Sequence, residues 1–227
     1  MAGLNETMAL EPTTEEKRNA SVILNRLKKR YPQSRTALKY ADAWQLLVAT
    51  VLSAQTTDAN VNTVAPVLFE AYPTPEDLAG ADPEDVERII FSTGFYRQKT
   101  KSVIALAGDL VDKYGGEVPR DLDELVTLRG VGRKTASVVL AEVWGDPAIA
   151  VDTHVKRVSQ RLGLVSASDP TKIESELKAL FPKAQWANVS MRMIQFGRDI
   201  CDAKKAQCWQ CPLADRCAFD QKNLVPV

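Results

Sequence analysis

Four cysteines, all beyond residue 200, constrain this 227-residue chain more than any other feature. They run Cys201-x6-Cys208-x2-Cys211-x5-Cys217, and no cysteine occurs elsewhere. Two disulfides would suit a small secreted domain, but a chain of this length buries a sizeable core without covalent staples. A metal site is the better reading. Structural zinc commonly uses two paired knuckles, whereas only Cys208-x2-Cys211 is a knuckle here. Four thiolates on one short loop can also hold a [4Fe-4S] cube, whose corners accept uneven separations. The spacing leans toward the cube without settling it.

The compartment agrees with free thiols. Apolar residues make up 45% of the chain and charged residues 26%, a balance of folded soluble proteins and not of disordered or fibrous ones. Thr50, Ser53 and Gln55 interrupt the richest apolar run, which begins at Trp44, so no segment reads as a membrane span. The acidic N-terminus does not read as a secretory signal, and the cytoplasm is the expected location. Twenty-nine bases balance 29 acids, which argues against non-specific coating of nucleic acid. The distribution is uneven: residues 17 to 40 carry eight bases and no acid, while 41 to 90 carry nine acids against Arg88 alone. A polyanionic partner must therefore meet a local face.

Along the chain, the first dozen residues lack apolar periodicity and are expected to form a mobile tail. Thr13-x-x-Glu16 is a capping box, followed by Val22, Ile23 and Leu27 at helical spacing up to Tyr31-Pro32. Helical segments then recur at 44–52, 60–69, 83–92, 98–113, 122–128, 133–144, 153–162, 170–180 and 186–199. In Asp82-Pro83-Glu84-Asp85 the Asp caps, the Pro takes the first helical position and the acids face the positive end of the dipole. Strand signals are scarce and connections short, so the fold class is all-α. Composition shows no domain boundary.

Two segments carry chemistry. Leu128-Arg129-Gly130-Val131-Gly132-Arg133-Lys134-Thr135-Ala136 joins two apolar helical segments through a G-V-G turn. Two glycines one residue apart allow a tight turn that points several N–H groups one way, and the following helix start favours an oxyanion. An ordinary helix-turn-helix connection is the plainer reading, but Arg129, Arg133 and Lys134 around the glycines favour phosphate. This is not a Walker loop, since the four-residue gap between glycines is absent and no strand precedes. At a helix start beside Arg133, Lys134 sits where its ammonium form is disfavoured, and a neutral amine is a nucleophile. A surface phosphate contact is the alternative role.

The second segment, Ala150-Val151-Asp152-Thr153-His154-Val155, opens a helix with an Asp. Capping is its simplest role, and one oxygen could cap while the other stabilises positive charge on a sugar. His154, the single histidine of the chain, has no identifiable carboxylate or metal partner and reads as a structural hydrogen-bonding residue.

Together, the Leu128–Ala136 hairpin with Lys134, the Val151-Asp152-Thr153-His154 stretch and the four-cysteine loop resemble the endonuclease III family of helix-hairpin-helix DNA glycosylases. The resemblance spans about Ala20 to Cys217, with three motifs in the right order. It implies a six-helix barrel domain over 36–146, and an iron-sulfur domain made of 147–227 with the N-terminal tail and helix, 1–35. Double-stranded DNA with damaged pyrimidines or abasic sites would lie across a cleft between them, where Lys134 and Asp152 would face each other. It further implies a [4Fe-4S] cluster on Cys201, Cys208, Cys211 and Cys217, a monovalent cation at the hairpin, and a monomeric enzyme. The DNA-binding set would be Gln55, Phe95, Arg129, Gly130, Val131, Gly132, Arg133, Lys204 and Lys205.

In this family a residue at the position of Gln55, in Leu52-Ser53-Ala54-Gln55-Thr56-Thr57-Asp58, fills the gap left by a flipped nucleotide and offsets part of the unstacking penalty. Without the family, Gln55 reads as a polar helix end. Two positions depart from the family pattern. The second wedge, usually a smaller aliphatic residue after Gly, is Phe95, and Phe196 stands before Gly197-Arg198 where relatives can carry His. The expected reaction is removal of an oxidised or ring-saturated pyrimidine, then β-elimination through a Lys134 Schiff base, with Asp152 lowering the barrier. The rivals are a mismatch-specific glycosylase of the same superfamily, which usually lacks this lysine, and a non-catalytic iron-sulfur protein that binds DNA or senses redox state. An adenine-mismatch enzyme usually carries a further C-terminal domain as well, and this chain stops soon after Cys217.

Overall fold

The computed structural model describes residues 11–225, which form helices and 3-10 turns and no strand, as the all-α reading requires. Most of the expected mobile tail lies outside the described residues. The chain divides into two compact units, one comprising Met1–Ser34 with Val151–Val227 and the other Arg35–Ala150.

In the Arg35–Ala150 unit the order is α2 (Ala43–Leu52), α3 (Asp58–Ala71), α4 (Pro75–Ala79), α5 (Pro83–Ile90), a 3-10 turn (Phe91–Thr93), α6 (Tyr96–Tyr114), α7 (Leu122–Leu125) and α8 (Arg133–Trp144). α2 is apolar almost all round because it packs against α3, α6 and α8 at once, burying every residue from Leu46 to Leu52. Each fully buried leucine there contributes about 2 kcal/mol relative to exposure. α6 is amphipathic instead, turning Val103, Leu106, Ala107 and Leu110 inward.

Three local departures from the expected helices have visible causes. α4 is too short for a periodic signal, although Thr74 caps it in a box with Asp77 and Pro75 opens it. The helix expected over 83–92 tightens to 3-10 geometry at Phe91, where Thr93 Oγ1 donates to Ile90 O (2.8 Å) before Gly94 turns at φ +68°. The helix expected over 122–128 ends at Leu125. Thr127 and Leu128 switch to i→i+3 bonds, onto Glu124 O and Leu125 O, as the chain swings into the glycine turn.

The other unit joins α1 (Thr14–Arg30) to α9 (Thr153–Arg161), α10 (Pro170–Leu180) and α11 (Trp186–Asp199), with short 3-10 turns around the cysteines. The Thr13 capping box forms: Glu16 N donates to Thr13 Oγ1 (3.2 Å), and Thr13 N donates to the Glu16 carboxylate (2.7 Å). α1 buries Ala20, Ile23, Leu24 and Leu27 and packs on α10 and α11. Its Arg26 guanidinium grips both oxygens of Asp215 and donates to Pro212 O (2.9 Å), which fastens the N-terminal helix to the cysteine segment. No described helix is long and apolar enough to cross a membrane.

Candidate nucleic-acid interface and cysteine centre

The glycine turn has one glycine the fold demands and one it does not. Gly130 adopts φ +78°, and a Cβ there would stand 3.1 Å from Ser102 Cβ. Gly132 has φ −89° and open space where a Cβ would go, so the bare main chain at that position serves something other than packing. Leu128 and Val131 are buried and anchor the turn, while Arg129, Gly130, Gly132 and Arg133 are exposed.

Helices α1 to α5, α7, α9 and α10 each begin with a Thr or Asp side chain capping their first N–H groups. α8 has Gly132 as its N-cap and, like α6 and α11, no side-chain cap. The Gly132 N-cap brings no side chain to the first turn of α8, which lies at the positive end of the helix dipole and next to exposed basic residues, a setting that favours an oxyanion. Lys134 is the second residue of α8 and half-buried.

A residue that sequence reasoning missed steadies this turn. Asp109, buried on the inner face of α6, accepts Arg129 N through Oδ2 (2.9 Å) and pairs with Lys113 Nζ through Oδ1 (3.1 Å). Burial pushes its carboxyl up, but the Arg129 N–H and the Lys113 ammonium outweigh that and hold it below its usual value. The available signal was an acid one position before Leu110 on a face otherwise given to Val103, Leu106 and Ala107.

Gln55 and Phe95 are the only non-glycine residues with positive φ among those described, at +55° and +49°. Such backbone costs roughly 1–3 kcal/mol each and persists where the surroundings enforce it. Gln55 follows the end of α2 at Ser53, and Phe95 is the residue from which α6 starts. Both side chains are exposed, Phe95 by 66%. A large aromatic held out in water on strained backbone is a feature that packing does not explain.

Asp152 caps α9 with a single oxygen, Oδ1, which accepts His154 N and Val155 N at 2.8 Å each. Oδ2 makes no hydrogen bond to the described residues, so capping leaves one oxygen for other chemistry. His154 faces Arg157 Nη2 across 3.0 Å from its Nδ1. Burial lowers its pKa, and Arg157 and Arg198 lower it further against the opposing pull of Asp152 and the Gly197 carbonyl. The Arg157 contact is the structural role expected of it.

The four cysteines carry no disulfide and line one cavity together with Leu162, Phe196 and Ile200. Among the described residues no three His, Cys, Asp or Glu side chains gather tightly enough to hold a single metal ion. Donors approach the sulfurs: Arg161 Nη1 lies 3.4 Å from Cys201 Sγ, and Leu213 N lies 3.4 Å from Cys211 Sγ. Burial pushes the Cys211 thiol up to about 11 and raises Cys217 as well, so an occupant must displace protons. Phe196 is 1% exposed and belongs to this cavity wall. Between the first two cysteines, Asp202 Oδ1 accepts the N–H groups of Lys204 and Lys205 at 2.8 Å each, a local turn that presents both lysines to solvent.

A bare glycine turn leading into a helix that starts with basic residues, in an all-α frame, makes a helix-hairpin-helix arrangement suited to a nucleic-acid phosphate. The family model of the HhH-GPD superfamily base excision DNA repair protein matches residues 48–183. The chain belongs to the endonuclease III family: it is 48% identical to endonuclease III of Synechocystis over 94% of this chain and 98% of the relative. Against endonuclease III of Escherichia coli the identity is 36%, over 88% and 95%. A solved non-covalent endonuclease III-DNA complex superposes with a TM-score of 0.85 at 46% identity, covering 89% of this chain and 95% of that one. A trapped endonuclease III-DNA covalent intermediate gives 0.86 at the same identity. The chain is thus a base excision repair enzyme that acts on DNA as a glycosylase and lyase.

Proposed function

We propose that the chain removes oxidised or ring-saturated pyrimidines from duplex DNA and cuts the abasic strand by β-elimination, with Lys134 as nucleophile and Asp152 as its electrostatic partner. The observation that carries this reading is the glycine start of α8, where the N-cap brings no side chain and Gly132 leaves open space beside Lys134 for a phosphate to approach the main chain.

Lys134 Nζ donates its lone pair to sugar C1′ as the damaged base leaves with the glycosidic electrons, and the free Asp152 Oδ2 stabilises the positive charge that builds on the sugar. Loss of a proton from nitrogen and opening of the ring give an iminium. The iminium acidifies the C2′ proton; its removal expels the 3′ phosphate with the C3′–O electrons, and water then frees the lysine from an unsaturated aldehyde. Gln55 and Phe95 enter the duplex from their strained, exposed positions and fill the space of the flipped nucleotide. Arg129, Arg133, Lys204 and Lys205 meet phosphates, and the hairpin would hold a monovalent cation.

Cys201, Cys208, Cys211 and Cys217 would hold a [4Fe-4S] cluster, a fit supported by their shared cavity and the N–H donors aimed at sulfur. The cluster would supply a rigid clamp for the loop that carries Lys204 and Lys205. We place the enzyme in the cytoplasm, as a monomer, with the DNA it repairs.

A duplex carrying one ring-saturated thymine tests the reading. The expected products are free base and a nicked strand ending in an unsaturated aldehyde. Release of base without a nick would exclude the lysine mechanism and favour a mismatch-type glycosylase. Binding with neither product would favour a non-catalytic protein.

A further inference from the structure

Gln55 and Phe95 lie forty residues apart in sequence, yet a single amide joins the loops that carry them. Asn60 sits in the first turn of α3, with its backbone N–H fixed on Thr57 Oγ1 (3.2 Å). Its Nδ2 donates to Thr56 Oγ1 (3.1 Å), next to Gln55, and to Ser92 O (2.8 Å), in the 3-10 turn that leads to Phe95. Ser92 Oγ donates back to Asn60 Oδ1 (2.9 Å). Both amide hydrogens and the oxygen are engaged, so the side chain has one orientation.

The two loops are not equally braced without it. On the Phe95 side, the buried Lys99 Nζ donates to Thr93 O (2.8 Å), and Thr93 Oγ1 donates to Ile90 O (2.8 Å). Around Gln55 the bonds are all local, Ala54 N to Val51 O and Thr56 N to Ser53 O at 3.3 Å and Ser53 Oγ to Thr50 O at 2.8 Å, and the Phe95 turn has its own long bond, Gly94 N to Phe91 O at 3.4 Å. Asn60 therefore ties the Gln55 loop, held otherwise by its own local bonds, to a turn that the buried Lys99 anchors from α6.

We propose that Asn60 is a positioning residue that couples Gln55 and Phe95 into one wedge, holding Gln55 in register with Phe95 when the duplex is entered. The proposal rests on the wedge reading above. Losing the amide should uncouple Gln55 while leaving Phe95 in place.

The test compares single-turnover cleavage of an abasic site in duplex and in single-stranded DNA for Gln55→Ala and Phe95→Ala, each in the Asn60 and the Asn60→Ala background. The fluorescence of 2-aminopurine opposite the site reports unstacking. We expect the duplex-specific loss from Gln55→Ala to shrink by about three- to tenfold once Asn60 is gone, within the usual range for coupled neighbours. The loss from Phe95→Ala should stay the same within about twofold. Asn60→Asp, which keeps the Ser92 hydroxyl bond but no donor to Thr56, should uncouple Gln55 in the same way and covers the case in which alanine fails to fold. If Gln55→Ala loses the same factor in all three backgrounds while sparing single strands, the wedge stands and the Asn60 link is overturned. If Gln55→Ala and Phe95→Ala weaken single-stranded and duplex cleavage alike, the wedge itself falls.

Discussion

Asp109→Ala separates the hairpin's support from its chemistry. In the folded protein the Asp109 carboxylate accepts Arg129 N and pairs with Lys113, whose side chain is 46% exposed. A hydrogen bond to a charged, buried acceptor is worth about 1.5–3 kcal/mol, and the exposed partner adds less than about 1. Asp109→Ala should thus lower stability by about 2–3 kcal/mol, and Asp109→Asn, whose amide oxygen still accepts from Arg129 N, by about 1. Urea unfolding followed by circular dichroism measures both. Each variant should remain folded in buffer, yet binding of Asp109→Ala to abasic duplex should fall by about five- to tenfold, because the turn no longer holds its N–H groups in place. The Asp109 carboxyl is depressed on folding, so its contribution is present above the ordinary carboxylate range and is lost as pH falls through the lower folded value. The stability gap between wild type and Asp109→Asn should accordingly close below about pH 4. Equal urea midpoints for wild type and Asp109→Ala, or unchanged DNA binding by Asp109→Ala, would refute the idea that Asp109 holds the turn.

Two further outcomes test other parts of the molecule. Purified protein should be yellow-brown, absorb broadly near ~400 nm and contain about four irons per chain, whereas stoichiometric zinc without iron would remove the cluster assignment. DNA binding should weaken steeply with salt despite the balanced net charge, and Lys204→Ala with Lys205→Ala should reduce the slope of log K against log salt by about 2; an unchanged slope would take that loop off the phosphate backbone.

Long elements were legible because their residues repeat at helical spacing and their ends carry Thr, Asp, Pro or Gly. α10 and α11 begin and end where Pro170, Leu180, Trp186 and Asp199 suggest. α4 escaped notice because five residues cannot show a period, even with Thr74 and Asp77 in a capping box. At the site, the glycine turn and the Asp152 cap could be read from residue types alone, since each is a contact between near neighbours. The roles given to Gln55, Phe95, Lys204 and Lys205 came through the family, because an exposed side chain leaves no periodic trace. Asp109 to Arg129 and Asn60 to Ser92 join residues 20 and 32 positions apart, so only the fold reveals them. Asp202, whose carboxyl is lowered by the N–H groups of Lys205 and Lys204, is a further support that no periodicity marks.

In this mechanism one amine, that of Lys134, forms the covalent bond to DNA. Borohydride reduction during reaction with an abasic duplex, followed by proteolysis and mass spectrometry, locates that bond. Wild-type protein should yield a single DNA-linked peptide containing Lys134. Asp152→Asn should still trap on the preformed abasic site, where no base need leave, while releasing damaged bases far more slowly. Lys134→Ala should bind damaged DNA and trap none of it, since glycine backbone and not the lysine holds the phosphate. A trapped adduct at wild-type yield in Lys134→Ala, or a wild-type adduct mapped to any other residue, would contradict the mechanism.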